Sequence, residues 1–175
     1  MARLSAGIGE IRASRQPDDT ITALGLGSCV AIVLADNSIG AVAVAHCMLP
    51  AQPADTREHL EKPGRYVDAA LPHLLSHMRD LGSSCNGLVS ALVGGAAMFD
   101  FTGPTTLDIG SRNVDTARQV LRESGIALLA SDVGGNQGRT VTIEVADATV
   151  YVRAMGVEKQ LVSLRSRGAA QRKVA

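Results

Sequence analysis

Aromatic side chains are nearly absent from this chain: its 175 residues include two Tyr, two Phe and no Trp. The stacking platforms on which proteins hold single-stranded bases are therefore missing. The core has to be assembled from Ala, Val, Leu and Ile instead. An excess of charge is missing too, with 17 basic against 17 acidic residues, so no general attraction to DNA or to an anionic membrane is expected. The longest apolar stretch, 30–49, is broken by Asp36, Asn37, Ser38 and His46, whereas a membrane span needs about 20 continuous apolar residues. The first residues show no basic segment followed by an apolar one, so no secretory signal is expected. Cysteines number only three, with no pair at metal-type spacing. A disulfide framework and a structural zinc site are not expected, and a reducing cytoplasm is the simplest compartment.

Apolar residues make up 46% of the chain, and the length suits one domain with a proper core. Ile21 to Leu24 reads as a short strand entering a Gly25/Gly27 turn. Cys29 to Leu34 and Ile39 to Met48 read as two strands joined at Asp36-Asn37-Ser38, a hairpin. Residues 50–64 are rich in proline and polar groups and read as a surface loop. Val67, Ala70, Leu71, Leu74, Leu75, Met78 and Leu81 recur at helical spacing, with Gly82 as the stop. Pro72 fits only if the helix starts a few residues before it. Leu88 to Val93 is a buried strand ending at Gly94-Gly95. Val114, Ala117, Val120 and Leu121 mark a second helix, capped by Ser111 or Asn113 and stopped by Gly125. Ile126 to Ala130, Thr140 to Val145 and Thr149 to Arg153 are further strands, the last two a hairpin around Ala146-Asp147-Ala148. No regular βαβ repeat appears. The expected fold is α+β: a single domain over 1–164, mixed β-sheets in a layered sandwich with two to three helices outside, and a basic, flexible tail over 165–175.

Two residues carry the chemistry. Cys29 ends the run Leu24-Gly25-Leu26-Gly27-Ser28-Cys29, and His46 opens His46-Cys47-Met48-Leu49-Pro50. A thiol is a strong nucleophile only as thiolate, and a nearby imidazole can take its proton. The hairpin brings the two arms together. The glycine turn exposes the cysteine and offers N–H groups around Gly27, Ser28 and Cys29 for an oxyanion. Gly95, in the next glycine turn, is a further candidate for the substrate cleft, with Gly134-Gly135 able to line the same cleft or to serve only as a turn. Adjacent strand residues face opposite sides, so only one of His46 and Cys47 can face Cys29. Cys47 is then a core residue, and Cys85 has no assigned role. His73 and His77 lie four apart on a helix, but the glutamate of the zinc-protease pattern is absent, so they read as helix-surface residues.

These motifs resemble the CheD family, the chemoreceptor glutamine deamidases of bacterial and archaeal chemotaxis. The resemblance runs from about Ile8 to Leu164. It takes in Lys62-Pro63-Gly64-Arg65-Tyr66, Gly94-Gly95-Ala96-Ala97-Met98-Phe99, Ile109-Gly110-Ser111-Arg112-Asn113 and Gly134-Gly135-Asn136. It implies a cytoplasmic enzyme that turns selected receptor glutamines into glutamates, with Cys29 as nucleophile and His46 as base. It also implies a fold and Cys/His chemistry shared with the cytotoxic necrotising factor deamidases. Methyl-accepting receptor helices are the implied substrate, the phosphatase CheC an implied partner, and no metal or organic cofactor is needed. The family's third catalytic residue is a threonine where this chain has Ala23. Thr22 is the neighbouring candidate, but on a strand its side chain points the other way. A backbone carbonyl, Thr22 after a register shift, or a water are the alternatives for orienting His46. The same acyl-enzyme would also serve a methylesterase side activity. The rival readings are a receptor- or CheC-binding adaptor with little chemistry, and a different cysteine hydrolase such as a peptidase.

Overall fold

A computed structural model describes residues 1–54, 61–97 and 108–165. Two five-stranded sheets pack face to face, and two helices cover the outer face of one of them. The first sheet has the order β1 (Arg3–Ser5), β3 (Thr20–Leu26), β8 (Arg139–Glu144), β9 (Thr149–Ala154), β10 (Val157–Ser163). The second has β2 (Ile11–Ser14), β5 (Ala41–Cys47), β4 (Val30–Asp36), β6 (Val89–Gly94), β7 (Ala127–Val133). Only β1/β3 and β6/β7 run parallel, so both sheets are mixed, as expected for α+β.

The aromatic-poor composition shows in the core. Every residue of β4, β5 and β6 is buried, because this sheet is sandwiched between the first sheet and the helices. Ala31, Val33 and Ala35 join Val42 and Val44 in the inter-sheet core. Val30, Ile32 and Leu34 pack on the other face with Leu71, Leu74 and Met78 of α1 (Val67–Asp80) and Leu121 of α2 (Ile109–Glu123). A strand buried on both faces reads as a continuous apolar run, which is what 30–35 is.

The β4–β5 hairpin forms at the expected turn. Asp36 accepts from the Ser38 N–H at 2.9 Å and from Ser83 Oγ. Pro72 sits at the sixth position of α1, beyond the first four, so it removes one helical bond that the Asp68 carbonyl would have accepted. The second helix begins at Ile109, five residues before its first apolar marker, and its cap is Asp108 rather than Ser111 or Asn113; the Asp108 carboxylate accepts the Ser111 N–H at 3.0 Å.

Three strands escape sequence reading. β1 and β2 are short. β10 is largely exposed and shows no alternation. It is reached through Met155 and Gly156, both at positive φ, the geometry of a tight hairpin turn without its usual Asn-Gly signature. At the end of the described chain, Leu164 is buried, and its carbonyl accepts from Asn37 Nδ2 at 2.9 Å. The expected tail beyond Arg165, and Met98-Phe99, lie outside the described residues. Among the described residues no helix is long and apolar enough to cross a membrane.

Candidate active site

Cys29 and His46 emerge on one face of adjacent strands. In the β4/β5 ladder Val30 pairs with Cys47 and Ala31 with His46. Side chains alternate, so His46 follows Val42 and Val44 to the inter-sheet side, while Cys47 follows Ala41, Ala43 and Ala45 to the helix side. Cys29, just before β4, belongs to the inter-sheet core. Continuing the register sets it diagonally from His46, a relation that long side chains can span. Cys47 is fully buried, and burial pushes its thiol far above the ordinary range. Cys85 lies elsewhere, with its sulfur 3.6 Å from the Leu75 carbonyl oxygen.

The imidazole is held by the main chain. His46 Nδ1 lies 3.1 Å from the Ala6 carbonyl oxygen. A carbonyl only accepts, so Nδ1 carries the hydrogen and Nε2 keeps its lone pair. Nε2 is buried and has no hydrogen-bond partner among the described residues. The Ala6 peptide is itself tied down, its N–H donating to the Thr22 carbonyl at 2.8 Å. Gly9 N–H donates to the His46 carbonyl at 2.8 Å, and the His46 N–H donates to the Glu10 carbonyl at 3.0 Å. The segment Lys62–Tyr66 braces this loop from behind. Gly64 N–H reaches the Gly9 carbonyl at 2.9 Å, and a Cβ on Gly64 would sit 2.9 Å from the Glu10 carbonyl oxygen.

Of the alternatives for orienting His46, a backbone carbonyl is the one observed. Ala23 is fully buried in the inter-sheet core and has no polar atom on its side chain. Thr22, between inward-facing Ile21 and Ala23, turns its side chain to the opposite face, as alternation requires. It contributes its carbonyl, one step removed, through Ala6.

Burial pushes the Cys29 thiol above its ordinary range, opposed by its own backbone N–H. Burial also lowers the His46 imidazole, against the Ala6 hydrogen bond and the nearby Glu10 charge. The resting pair is therefore neutral thiol and neutral imidazole. If His46 is the base, kcat/KM should stay level down to pH about 6.5, the ordinary imidazole value, and fall only below it. An acid limb centred above that value in a pH–rate profile would exclude His46 as the base. Stability should decline over the same range, because the unfolded chain binds this proton more readily than the folded one.

The glycine turn that leads to Cys29 is clamped between β6 and α2. Gly25 has φ 69°, and its carbonyl accepts the Gly27 N–H at 2.9 Å. The Gly27 carbonyl accepts from Ala96 N–H and the Cys29 carbonyl from Gly95 N–H, each at 2.8 Å. Of the residues expected at the oxyanion or substrate cleft, Gly27 and Gly95 thus have their N–H groups engaged. The Ser28 N–H meets no backbone carbonyl among the described residues. Gly95 serves instead as a point of close approach: a Cβ there would lie 2.3 Å from Val114 Cγ2.

Asn113 is the residue that sequence reading missed. It is fully buried, and its Nδ2 donates to the Ser28 carbonyl at 2.8 Å and the Met48 carbonyl at 3.0 Å. The available signal was an amide on the apolar stripe of α2, four residues before Ala117. The two later glycine turns do meet, with Gly134 N–H bonding the Gly94 carbonyl and Ala97 N–H the Gly135 carbonyl. Gly95, Gly134 and Gly135 line a cavity of about 300 Å³ with Asp108, Asp115 and Arg118. That cavity lies toward α2 and includes neither Cys29 nor His46.

Residues 48–154 match the CheD family, described as CheD chemotactic sensory transduction. The match begins two residues after His46, so the family model itself includes neither Cys29 nor His46. Two similar proteins carry the name probable chemoreceptor glutamine deamidase CheD. One, from Methanococcus maripaludis (strain C6 / ATCC BAA-1332), is 40% identical over 151 residues, which is 86% of this chain and 94% of the relative. The other, from Clostridium botulinum (strain Hall / ATCC 3502 / NCTC 13319 / Type A), is 36% identical over 155 residues, 88% of this chain and 94% of the relative. With the family match spanning well over half the sequence and both relatives covered almost end to end, the chain belongs to the CheD family.

Proposed function

We propose that this protein deamidates glutamine side chains of chemoreceptors through a Cys29 thioester. The observation that carries the reading is the His46 ring, whose Nδ1 is fixed by the Ala6 carbonyl while buried Nε2 is left with a lone pair and no partner. His46 Nε2 takes the Cys29 proton, and the thiolate attacks the carboxamide carbon. The N–H groups of Ser28 and Cys29 receive the oxyanion. The C–N bond breaks as His46 returns the proton to the departing ammonia. Water, deprotonated by His46, then cleaves the thioester, giving glutamate and the free thiol. A glutamyl methyl ester would pass through the same acyl-enzyme, with methanol as the leaving group. No step calls for a metal or an organic cofactor. Receptor cytoplasmic helices are the substrate in this reading, the compartment is the cytoplasm, and CheC is a partner competing for the same protein.

The rival reading, an adaptor that binds receptors or CheC with little chemistry, is favoured by Ala23 alone. A cytoplasmic fragment of the cognate receptor separates the two. Wild type should release ammonia and convert named glutamines to glutamate by mass spectrometry; binding without product would overturn the deamidase. Cleaved receptor would point to a peptidase. Because Nδ1 already has a partner, Ala23→Thr should change the rate by less than about tenfold, equivalent to 1.4 kcal/mol. Product appearing only in Ala23→Thr would mean a docking protein that has lost its third catalytic group.

A further inference from the structure

Three successive carbonyls of the turn before Cys29 are each pinned by a donor from the end of β6 or from α2. Gly27 is held by the Ala96 N–H, Ser28 by Asn113 Nδ2, and Cys29 by the Gly95 N–H, each at 2.8 Å. In a planar trans peptide the C=O and N–H point in opposite directions. The Gly27 carbonyl shares its peptide with the Ser28 N–H, and the Ser28 carbonyl with the Cys29 N–H. Drawing the Gly27 carbonyl toward the end of β6 and the Ser28 carbonyl toward α2 turns the Ser28 N–H and the Cys29 N–H away from those two donors, leaving both off the β6 and α2 bonds. Neither N–H meets a backbone carbonyl among the described residues. The Cys29 N–H lies against its own sulfur, where it opposes the effect of burial on the thiol.

Two of these pins are main-chain bonds. The Ser28 pin is a side chain, and the second hydrogen of the same amide goes to the Met48 carbonyl, two residues past His46. One NH2 group therefore bridges the strand ends that carry the thiol and the imidazole. Its orientation is determined, since a flipped amide would set oxygen against two carbonyl oxygens. Oδ1 of Asn113 is buried without a partner among the described residues, a cost that an apolar packing residue at this position would not carry.

We infer that Asn113 is a positioning residue for acyl transfer, holding the Ser28–Cys29 peptide so that the Ser28 and Cys29 N–H groups face the developing oxyanion. The inference rests on the thioester reading above, yet it is testable without a receptor. Acylation of Cys29 by p-nitrophenyl acetate passes through a tetrahedral oxyanion. Alkylation by iodoacetamide displaces iodide at carbon and forms none. Both consume the same thiolate, and mass spectrometry assigns each to Cys29. In the full chain, Asn113→Leu and Asn113→Ala should lower the acylation rate about 10²–10³-fold, with the alkylation rate and its pH profile close to wild type. Parallel loss of both reactions would make Asn113 merely structural, and unchanged acylation would make its pin dispensable; either overturns the inference. If neither variant folds, wild type decides: a peptide aldehyde forming a hemithioacetal with Cys29 must shift the Ser28 and Cys29 amide resonances, and unmoved resonances overturn the inference. A wild type silent on receptor, together with selective acylation loss in Asn113→Leu, would remove the deamidase reading and leave this one standing.

Discussion

Cys29→Ser should lower glutamate formation by on the order of 10⁴-fold or more, with the fold nearly intact. The two side chains differ little in size, and Cys29 is buried but not enclosed, at 8% exposure. An incompletely paired hydroxyl in the same place costs roughly 1–3 kcal/mol. The loss is chemical. Serine hydrolases couple their imidazole to a carboxylate that stabilises the imidazolium. Here the group on Nδ1 is the neutral Ala6 carbonyl, and burial lowers the imidazole further. Glu10, the nearest acid that acts on His46, spends its carboxylate on the Gly7 N–H and Arg12, each at 2.9 Å. Such a base suits a thiol, intrinsically a stronger acid than a hydroxyl even though burial raises this one. The check is ammonia release per enzyme alongside a denaturation curve. Residual activity within tenfold of wild type would remove Cys29 from the mechanism.

Gly94→Ala should destabilise the protein by about 3–5 kcal/mol or prevent folding, since left-handed strain and core overpacking each cost about 1–3 kcal/mol. Gly94 has φ 113°. A Cβ there would lie 2.2 Å from the Cys29 carbonyl oxygen and 3.2 Å from Val30 Cα, both backbone atoms. The carbonyl cannot swing aside, because it accepts the Gly95 N–H. Gly25 is the control: its φ is 69°, but nothing lies within 4 Å of the added atom, so Gly25→Ala should cost only about 1 kcal/mol. Urea denaturation of both variants makes the comparison. Equal losses would mean that β6 can slide away from the turn at Cys29, and the clamp would not hold.

The β4–β5 hairpin, its turn at Asp36, and the division of His46 and Cys47 between two faces were all legible in the sequence. They follow from local periodicity: apolar runs of strand length, a turn cluster between them, and a side-chain repeat of two. Placing Cys29 and His46 on one face of neighbouring strands needed no more than that hairpin. Both helices were legible from their stripes, although α2 starts five residues before Val114, the first marker of its stripe. Strand β10 was not, because an exposed edge strand leaves no apolar pattern.

What only the tertiary structure decided is how the pair is held. His46 meets the carbonyl of a residue 40 positions earlier, and Asn113 the carbonyl of one 85 positions earlier. In each bond the acceptor is main chain, and a carbonyl is the same group whichever residue bears it. No residue type marks Ala6 or Ser28 as an acceptor. The side chains that make this chemistry were therefore readable in order along the chain, whereas the peptide groups that aim them were settled only when the loop after β1 and the face of α2 packed against the ends of β4 and β5.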